Sequence, residues 1–331
     1  MTLSSRKRAG FLALTIVLSL AIAIGVVEIL LRNLSFSNAT GTGKASQRWF
    51  AEHWKPINEL GFRDFSIRGK GYFSKVVFVG DSFTSGHGVL FEETYYYQTA
   101  KAFQGRANFF NIGLNGGSTR SEYQTYRQFV SNTGIRNRWV VHQYFGNDIE
   151  DHIVRPGWRP PALLAALSDY SEIANSIQNY QMINSWGRQY IEALFQAYED
   201  TPRFEAHAND LNSLHDAMYA NNSRIIFLVF PFLHSDAALA RSQRYVQRIG
   251  AHFLTHCRPG SVLFDVSPLA SSLPQKRRVV NMLDPHPSAE LHALIARDLA
   301  EILRRGMRGD LPKGENWKGK DYLRMCPDPQ T

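Results

Sequence analysis

Five short apolar runs, rich in β-branched and aromatic residues, recur at residues 75–79, 108–112, 139–145, 224–230 and 261–266. Helical patterns separate them, at 92–103, 121–130, about 203–219 and 288–303. In the last of these, Leu291, Leu294, Ile295, Leu299 and Ile302 fall at helical spacing. Runs of this length carry no polar alternation, so both of their faces must be covered. Five strands alternating with helices predict an α/β fold, a parallel sheet with helices on both sides. In such sheets function collects at the carboxyl ends of the strands.

The residues just past those ends carry chemistry. After the first run comes Gly80-Asp81-Ser82-Phe83-Thr84-Ser85-Gly86, which leaves Ser82 where a helix would start. The free N–H groups and the dipole of a helix N-terminus favour negative charge there. After the second comes Gly113-Leu114-Asn115-Gly116-Gly117, a turn able to present an unshielded backbone N–H. After the third, Gly146-Asn147-Asp148 offers the Asn147 amide, and Asp284-Pro285-His286 precedes the closing helix. A serine hydroxyl is a weak nucleophile at neutral pH and needs an imidazole to take its proton. His286 is the candidate base, and Asp284 the candidate group that fixes its tautomer. Ser82 N–H, Gly116 N–H and the Asn147 amide are candidate donors to an oxyanion.

Each segment alone is a weak signal. Gly-Asp-Ser is commonly a strand-ending turn, Gly-Asn-Asp a turn, and Asp-Pro-His before a helix a cap. All four together, in this order and each at a strand end or before the last helix, resemble the four blocks of the SGNH (GDSL) hydrolase superfamily. The likeness includes Asn111 with Gly116 and extends from about Asn58 to Leu303. It takes in the lead-in Asn58-Glu59-Leu60-Gly61-Phe62-Arg63-Asp64. The resemblance implies a three-layer α/β/α, flavodoxin-like fold with a parallel five-stranded sheet. It implies ester hydrolysis or acyl transfer without metal or cofactor. By position, Ser82 is then nucleophile and first oxyanion donor, Gly116 and Asn147 the other donors, His286 the base and Asp284 its orienting acid. Many members place the acid three residues before the histidine; here the spacing is two, so a backbone carbonyl is the alternative partner of His286.

The N-terminus adds a membrane. After Arg6-Lys7-Arg8 the chain is apolar over residues 11–31, about 21 residues and broken only by Glu28, the length of one bilayer-spanning helix. A cleavable signal with Ala21-Ile22-Ala23 as its cleavage site competes, but apolar sequence runs on to Leu31, which favours an uncleaved anchor. The basic residues ahead of it predict a cytoplasmic N-terminus and an exported remainder, on the periplasmic or extracellular side. The division expected is a basic stub and anchor at 1–35, a linker at 36–57, a hydrolase domain at 58–305, and a charged tail without periodicity at 306–331. Residues 151–200 read as an insertion, a lid or substrate-side wall.

A net charge of +8 raises the question of nucleic acid. The basic runs lack interleaved aromatics and no nucleic-acid module is legible, so no such partner is expected. The only cysteines, Cys257 and Cys326, form no metal or redox pair; one disulfide or two free thiols remain open. His87, His142, His152, His234, His252, His256 and His292 lack an acid-and-loop context and read as surface or core residues. Asp81 and Asp148 read as braces of their loops, and Tyr95, Tyr96 and Tyr97 as packing residues. The expected activity is carboxylester hydrolysis on an acylated small molecule or glycan of the cell envelope. An O-acyltransferase with the same triad and a non-catalytic glycan-binding or scaffold protein are the alternatives.

Overall fold

The computed structural model describes residues 5–67, 74–312, 316–317 and 319–327. The first four residues of the basic stub, the side chains of residues 5–7 and parts of the tail lie outside them. The chain opens with α1 (Ser5–Arg32) and α2 (Lys44–His53), then β1 (Lys75–Val79), α3 (Ser82–Ser85), α4 (Tyr95–Lys101) and β2 (Asn108–Asn111). It continues through α5 (Thr119–Thr133), β3 (Trp139–Tyr144), α6 (Ala162–Ser168), α7 (Glu172–Glu199), α8 (Thr201–Ala220), β4 (Arg224–Val229) and α9 (Asp236–His256). The last part holds β5 (Val262–Asp265), α10 (Ser267–Ser271), α11 (Gln275–Arg278), β6 (Val279–Asn281), β7 (Asp284–Pro287), α12 (Ala289–Arg308), β8 (Asn316–Trp317) and β9 (Lys320–Met325).

The five predicted strands form one parallel array in the order β2-β1-β3-β4-β5. Their side chains split into two cores. Val76, Phe78, Val141 and Ile226 pack with Leu291, Ile295 and Leu299 of α12 on one face. Val77, Val79, Val140 and Ile225 pack with Leu211, Leu214 and Ile249 of α8 and α9 on the other. Each such buried side chain contributes about 1.5–3 kcal/mol, so a β-branched run free of charge is stable only between two helical layers. Helix starts are set by side chains: Thr94 caps α4, Asp200 α8, Ser235 α9 and Ser288 α12, each accepting an N–H of the first turn.

Two expectations are corrected. The sheet does not stop at five strands, because β9 adds antiparallel to β5 and β8 to β9, so part of the tail at 306–331 is folded. Trp317, Leu323 and Met325 are buried with the first core, and Cys326 is bonded to Cys257 at the end of α9, Cα to Cα 6.0 Å. The segment 36–57 is not a spacer either. It contains α2 and buries Ser37, Asn38, Ser46 and Trp49.

That segment fixes α1 to the rest of the chain. Arg48 of α2 donates to the Leu31 carbonyl (3.0 Å), the Leu34 carbonyl (2.9 Å) and Glu172 (2.8 Å). The carbonyls in the last turn of α1 have no partner within the helix, and Arg48 takes one of them. From Arg8 to Arg32, α1 is long and apolar enough, by length and composition, to cross a membrane.

Candidate active site

Asp81 ends the turn after β1 by accepting the Phe83 N–H (2.8 Å), which starts α3 with Ser82 as its first residue. Gly80 is required because a Cβ there would lie 2.4 Å from Gln143 Oε1 and 2.3 Å from Thr84 Oγ1. Gln143 holds the same turn from β3, accepting the Asp81 N–H (3.0 Å) and the Thr84 hydroxyl (2.9 Å). The lead-in residues brace it from outside. Buried Arg63 donates to the carbonyls of Ser85, Gly86 and Val89. Asn111 donates to the Thr84 carbonyl (3.1 Å) and accepts the Gly113 N–H (2.9 Å).

Opposite stands β7, paired with β6 in a short antiparallel hairpin. The Asp284 carboxylate accepts the His286 backbone N–H (3.1 Å) and lies 2.5 Å from His286 Nδ1. A carboxylate on Nδ1 places the neutral ring's proton there and leaves Nε2 as an acceptor. Nε2 is 2.8 Å from Ser82 Oγ. Ser82 and His286 retain 8% exposure and Asp284 none. The structure therefore brings Ser82, His286 and Asp284 into one line across 204 residues of sequence, with Asp284 rather than a carbonyl behind the ring. Burial pushes the Asp284 carboxyl up, but the His286 charge and hydrogen bond, His87 and Ser37 outweigh it and hold it below its usual value.

Two members of this site were not expected from sequence. Ser37 donates its hydroxyl to the second oxygen of Asp284. Its carbonyl accepts from Asn281 (2.9 Å), and the neighbouring Ala39 N–H donates to the Leu283 carbonyl (2.8 Å). His87, expected to be a surface or core residue, stacks on His286 with centroids 4.1 Å apart, and its Nε2 lies 3.7 Å from Asp284. Its ring donates to the Asn38 carbonyl (2.8 Å). Burial, then the His286 charge, push its pKa down to about 3, so it is neutral. Gly88 permits the approach: a Cβ there would be 2.5 Å from Asp284 Oδ2. No local motif marks either residue, because their partners lie far away in sequence.

Gly116 sits at φ +71° on the exposed turn after β2, and a Cβ on the adjacent Gly117 would be 3.5 Å from Asp81 Cα. Asn147 follows β3, three residues past its end at Tyr144 and directly before Asp148. Asp148 accepts the Phe145 N–H (2.6 Å), and with Asp81 it braces its loop as expected. Beneath the site Asp81, Glu122 and Asp148 are all buried, and burial raises the pKa of each. Glu122 also pairs with His142 (3.0 Å), whose other nitrogen meets His215 (2.8 Å). Tyr95 and Tyr96 are packing residues, hydroxyls bonded to Thr84 and Asp64 (both 2.6 Å).

His87, Asp284 and His286 present three possible metal-ligand atoms within 4.8 Å of one another. Both His286 nitrogens are already engaged, one by Asp284 and one by Ser82, so a metal would have to break that line.

A hydroxyl, an imidazole and a buried carboxylate in series is the arrangement that activates a serine, here at the carboxyl edge of a doubly wound sheet. No family model and no curated protein matches the chain. Among solved structures it is similar to LAE5, an alpha/beta hydrolase enzyme from the metagenome of Lake Arreo, Spain, at 17% identity and TM-score 0.44, covering 71% of this chain and 98% of that one. It is also similar to a catalytic mutant of Axe2, an acetylxylan esterase from Geobacillus stearothermophilus (14%, TM-score 0.44, covering 72% and 95%). A third is the lipase/acylhydrolase from Enterococcus faecalis (13%, TM-score 0.43, covering 71% and 97%).

Proposed function

We propose that the chain is a serine carboxylester hydrolase of SGNH type, held by α1 in the cytoplasmic membrane with its catalytic part, residues 58–305, on the outer side. The observation that carries this reading is the Ser82–His286–Asp284 line, 2.8 Å at the hydroxyl and 2.5 Å at the carboxylate. In acylation Ser82 Oγ attacks the ester carbonyl as its proton passes to His286 Nε2. Asp284 stabilises the imidazolium, and His286 then protonates the departing alkoxide. Water, deprotonated by the same nitrogen, attacks the acyl-enzyme and returns Ser82. The Ser82 N–H, Gly116 N–H and Asn147 amide receive the charge on the carbonyl oxygen in both steps. A glycan or other envelope molecule bearing acetyl esters is the substrate class, in keeping with the anchored, exported position. Among the structural neighbours above, one is an acetylxylan esterase.

The test uses the full chain in detergent, with a fluorophosphonate probe and a panel of acetylated glycans. The probe should label Ser82, found by mass spectrometry of the peptide, and acetate release should disappear in the labelled sample. Label on another serine overturns the assignment. Transfer of acetyl to an added glycan instead of water would make the protein an O-acyltransferase with the same triad, and the absence of both label and release a binding or scaffold protein.

A further inference from the structure

Helix α6 is amphipathic in the wrong direction for a protein in water. Its sequence is Ala-Leu-Leu-Ala-Ala-Leu-Ser. The side turned toward α7 carries Leu164 and Ala165, both half-buried, and buried Ser168. The side turned outward carries Leu163, Ala166 and Leu167, continued by Tyr170, at the spacing of one helical stripe. Leu163 is 74% exposed, Leu167 47% and Tyr170 78%. A solvated face would carry charge there, and two of the three leucines of the helix point out instead.

The position of this stripe says what covers it. The α6–α7 junction is fixed to the final turn of α1. Glu28 accepts the Ser171 hydroxyl (2.9 Å) and the Glu172 N–H (2.8 Å), so it caps α7 from inside the apolar span. One turn further along, Arg32 donates to the Tyr170 carbonyl (3.0 Å), and Lys44 donates to that of Asp169 (2.8 Å). Glu28 is thus satisfied as a hydrogen-bond acceptor at the one place where a carboxylate interrupts residues 11–31. The stripe lies beside the level at which α1 leaves the apolar layer, where Tyr belongs and where short apolar helices lie flat.

We propose that α6 is a second membrane contact: its outer stripe rests in the outer leaflet of the phospholipid bilayer, seating the domain on the surface from which α1 emerges. This rests on the anchor reading above, and the occupant is lipid rather than a second protein. Burial of Leu163, Leu167 and Tyr170 to about 5–10 Å at the headgroup boundary is the expected depth.

The experiment keeps the full chain, reconstituted in phosphatidylcholine–phosphatidylglycerol vesicles, with one nitroxide each at Leu163→Cys, Leu167→Cys, Leu18→Cys and Arg304→Cys. Collision with oxygen, which concentrates in lipid, is compared with collision with a nickel chelate confined to water. Labels at 163 and 167 should be reached by oxygen and shielded from nickel, at shallower depth than the label at 18, while that at 304 should be reached by nickel. Nickel access at 163 and 167 equal to that at 304 would overturn the proposal. So would shielding from both reagents, which means that protein, such as a second copy, covers the stripe. The label at 18 reads the anchor separately: aqueous there removes α1 as a span, whereas lipid there with aqueous labels at 163 and 167 removes only the seat.

Discussion

Ser37 and Asp284, 247 residues apart, share a buried hydrogen bond in which the hydroxyl of the segment leaving α1 holds the carboxylate behind His286. One oxygen of Asp284 serves His286 and the other Ser37. A hydrogen bond to a charged group contributes about 1.5–3 kcal/mol. Ser37→Ala should therefore lower kcat about tenfold with KM unchanged, and Ser37→Thr should restore most of it. In an Asp284→Asn background Ser37→Ala should add almost nothing, since both act through one carboxylate. Steady-state kinetics of the four variants on an activated ester decide this; full additivity would place the effect of Ser37 elsewhere.

The roles proposed for the three polar groups around Ser82 predict an order. His286 moves the proton in both half-reactions, so His286→Ala should cost nearly as much as Ser82→Ala. Asp284→Asn should lower kcat by about 10⁴, the size of the effect when a triad carboxylate is neutralised. Asn147→Ala should cost roughly 10² to 10³, as for one oxyanion donor. If His286→Ala keeps more activity than Asn147→Ala, His286 is not the base.

Acid should destabilise the protein as pH falls below about 6.5. His87, His142, His207, His215, His234, His252 and His292 all have pKa values pushed down, chiefly by burial. A histidine held neutral stabilises fully above its unfolded value of 6.5, and that stability is lost as pH falls toward the folded value, about 3 for His142. Asp81, Glu122, Asp148 and Asp265 oppose this, since burial raises them and their cost shrinks as pH falls. The histidines lose stability over the window from about 6.5 downward, where the unfolded chain binds protons that the folded one refuses. Melting temperatures by circular dichroism should fall steeply over that window, and a flat profile would rule out the neutral histidines.

The Cys257–Cys326 bond closes a separation of 69 residues. Chain entropy for such a loop amounts to roughly 4 kcal/mol. Reduction, or Cys326→Ser, should lower the unfolding midpoint in urea accordingly and expose the β5 edge to hydrogen exchange by freeing β9. Non-reducing peptide mapping that finds two free thiols would contradict the bond itself.

The five parallel strands were legible because each is a local signal. A run such as Val76 to Val79 has no exposed face to encode, and the glycine turns after β1, β2 and β3 mark where the backbone must bend. Asp284 and His286 were legible for the same reason, two residues apart before a capped helix. What escaped depends on partners distant in sequence. The strand Lys320-Asp321-Tyr322-Leu323-Arg324-Met325 looks like polar tail until the open edge of β5 is known to need covering. The α2 helix is mostly polar, and only Ser46 and Trp49 mark its buried side. His87 had no acid near it in sequence because Asp284 reaches it only through the fold.

Arg48 gives the junction between α1 and the rest of the chain a mechanical character. A polypeptide tether of a few residues lets a domain tumble above its lipid patch and sample many heights. Here the guanidinium grips Leu31 and Leu34 as the chain leaves α1 and braces against Glu172, while Ser37, five residues past Arg32, is already locked behind Asp284. The joint is a bracket instead of a leash. Under the anchoring and the triad proposed above, such a joint would hold the Ser82 hydroxyl at one altitude and one heading over the membrane, and lengthening the stalk would cost the protein its aim before its chemistry.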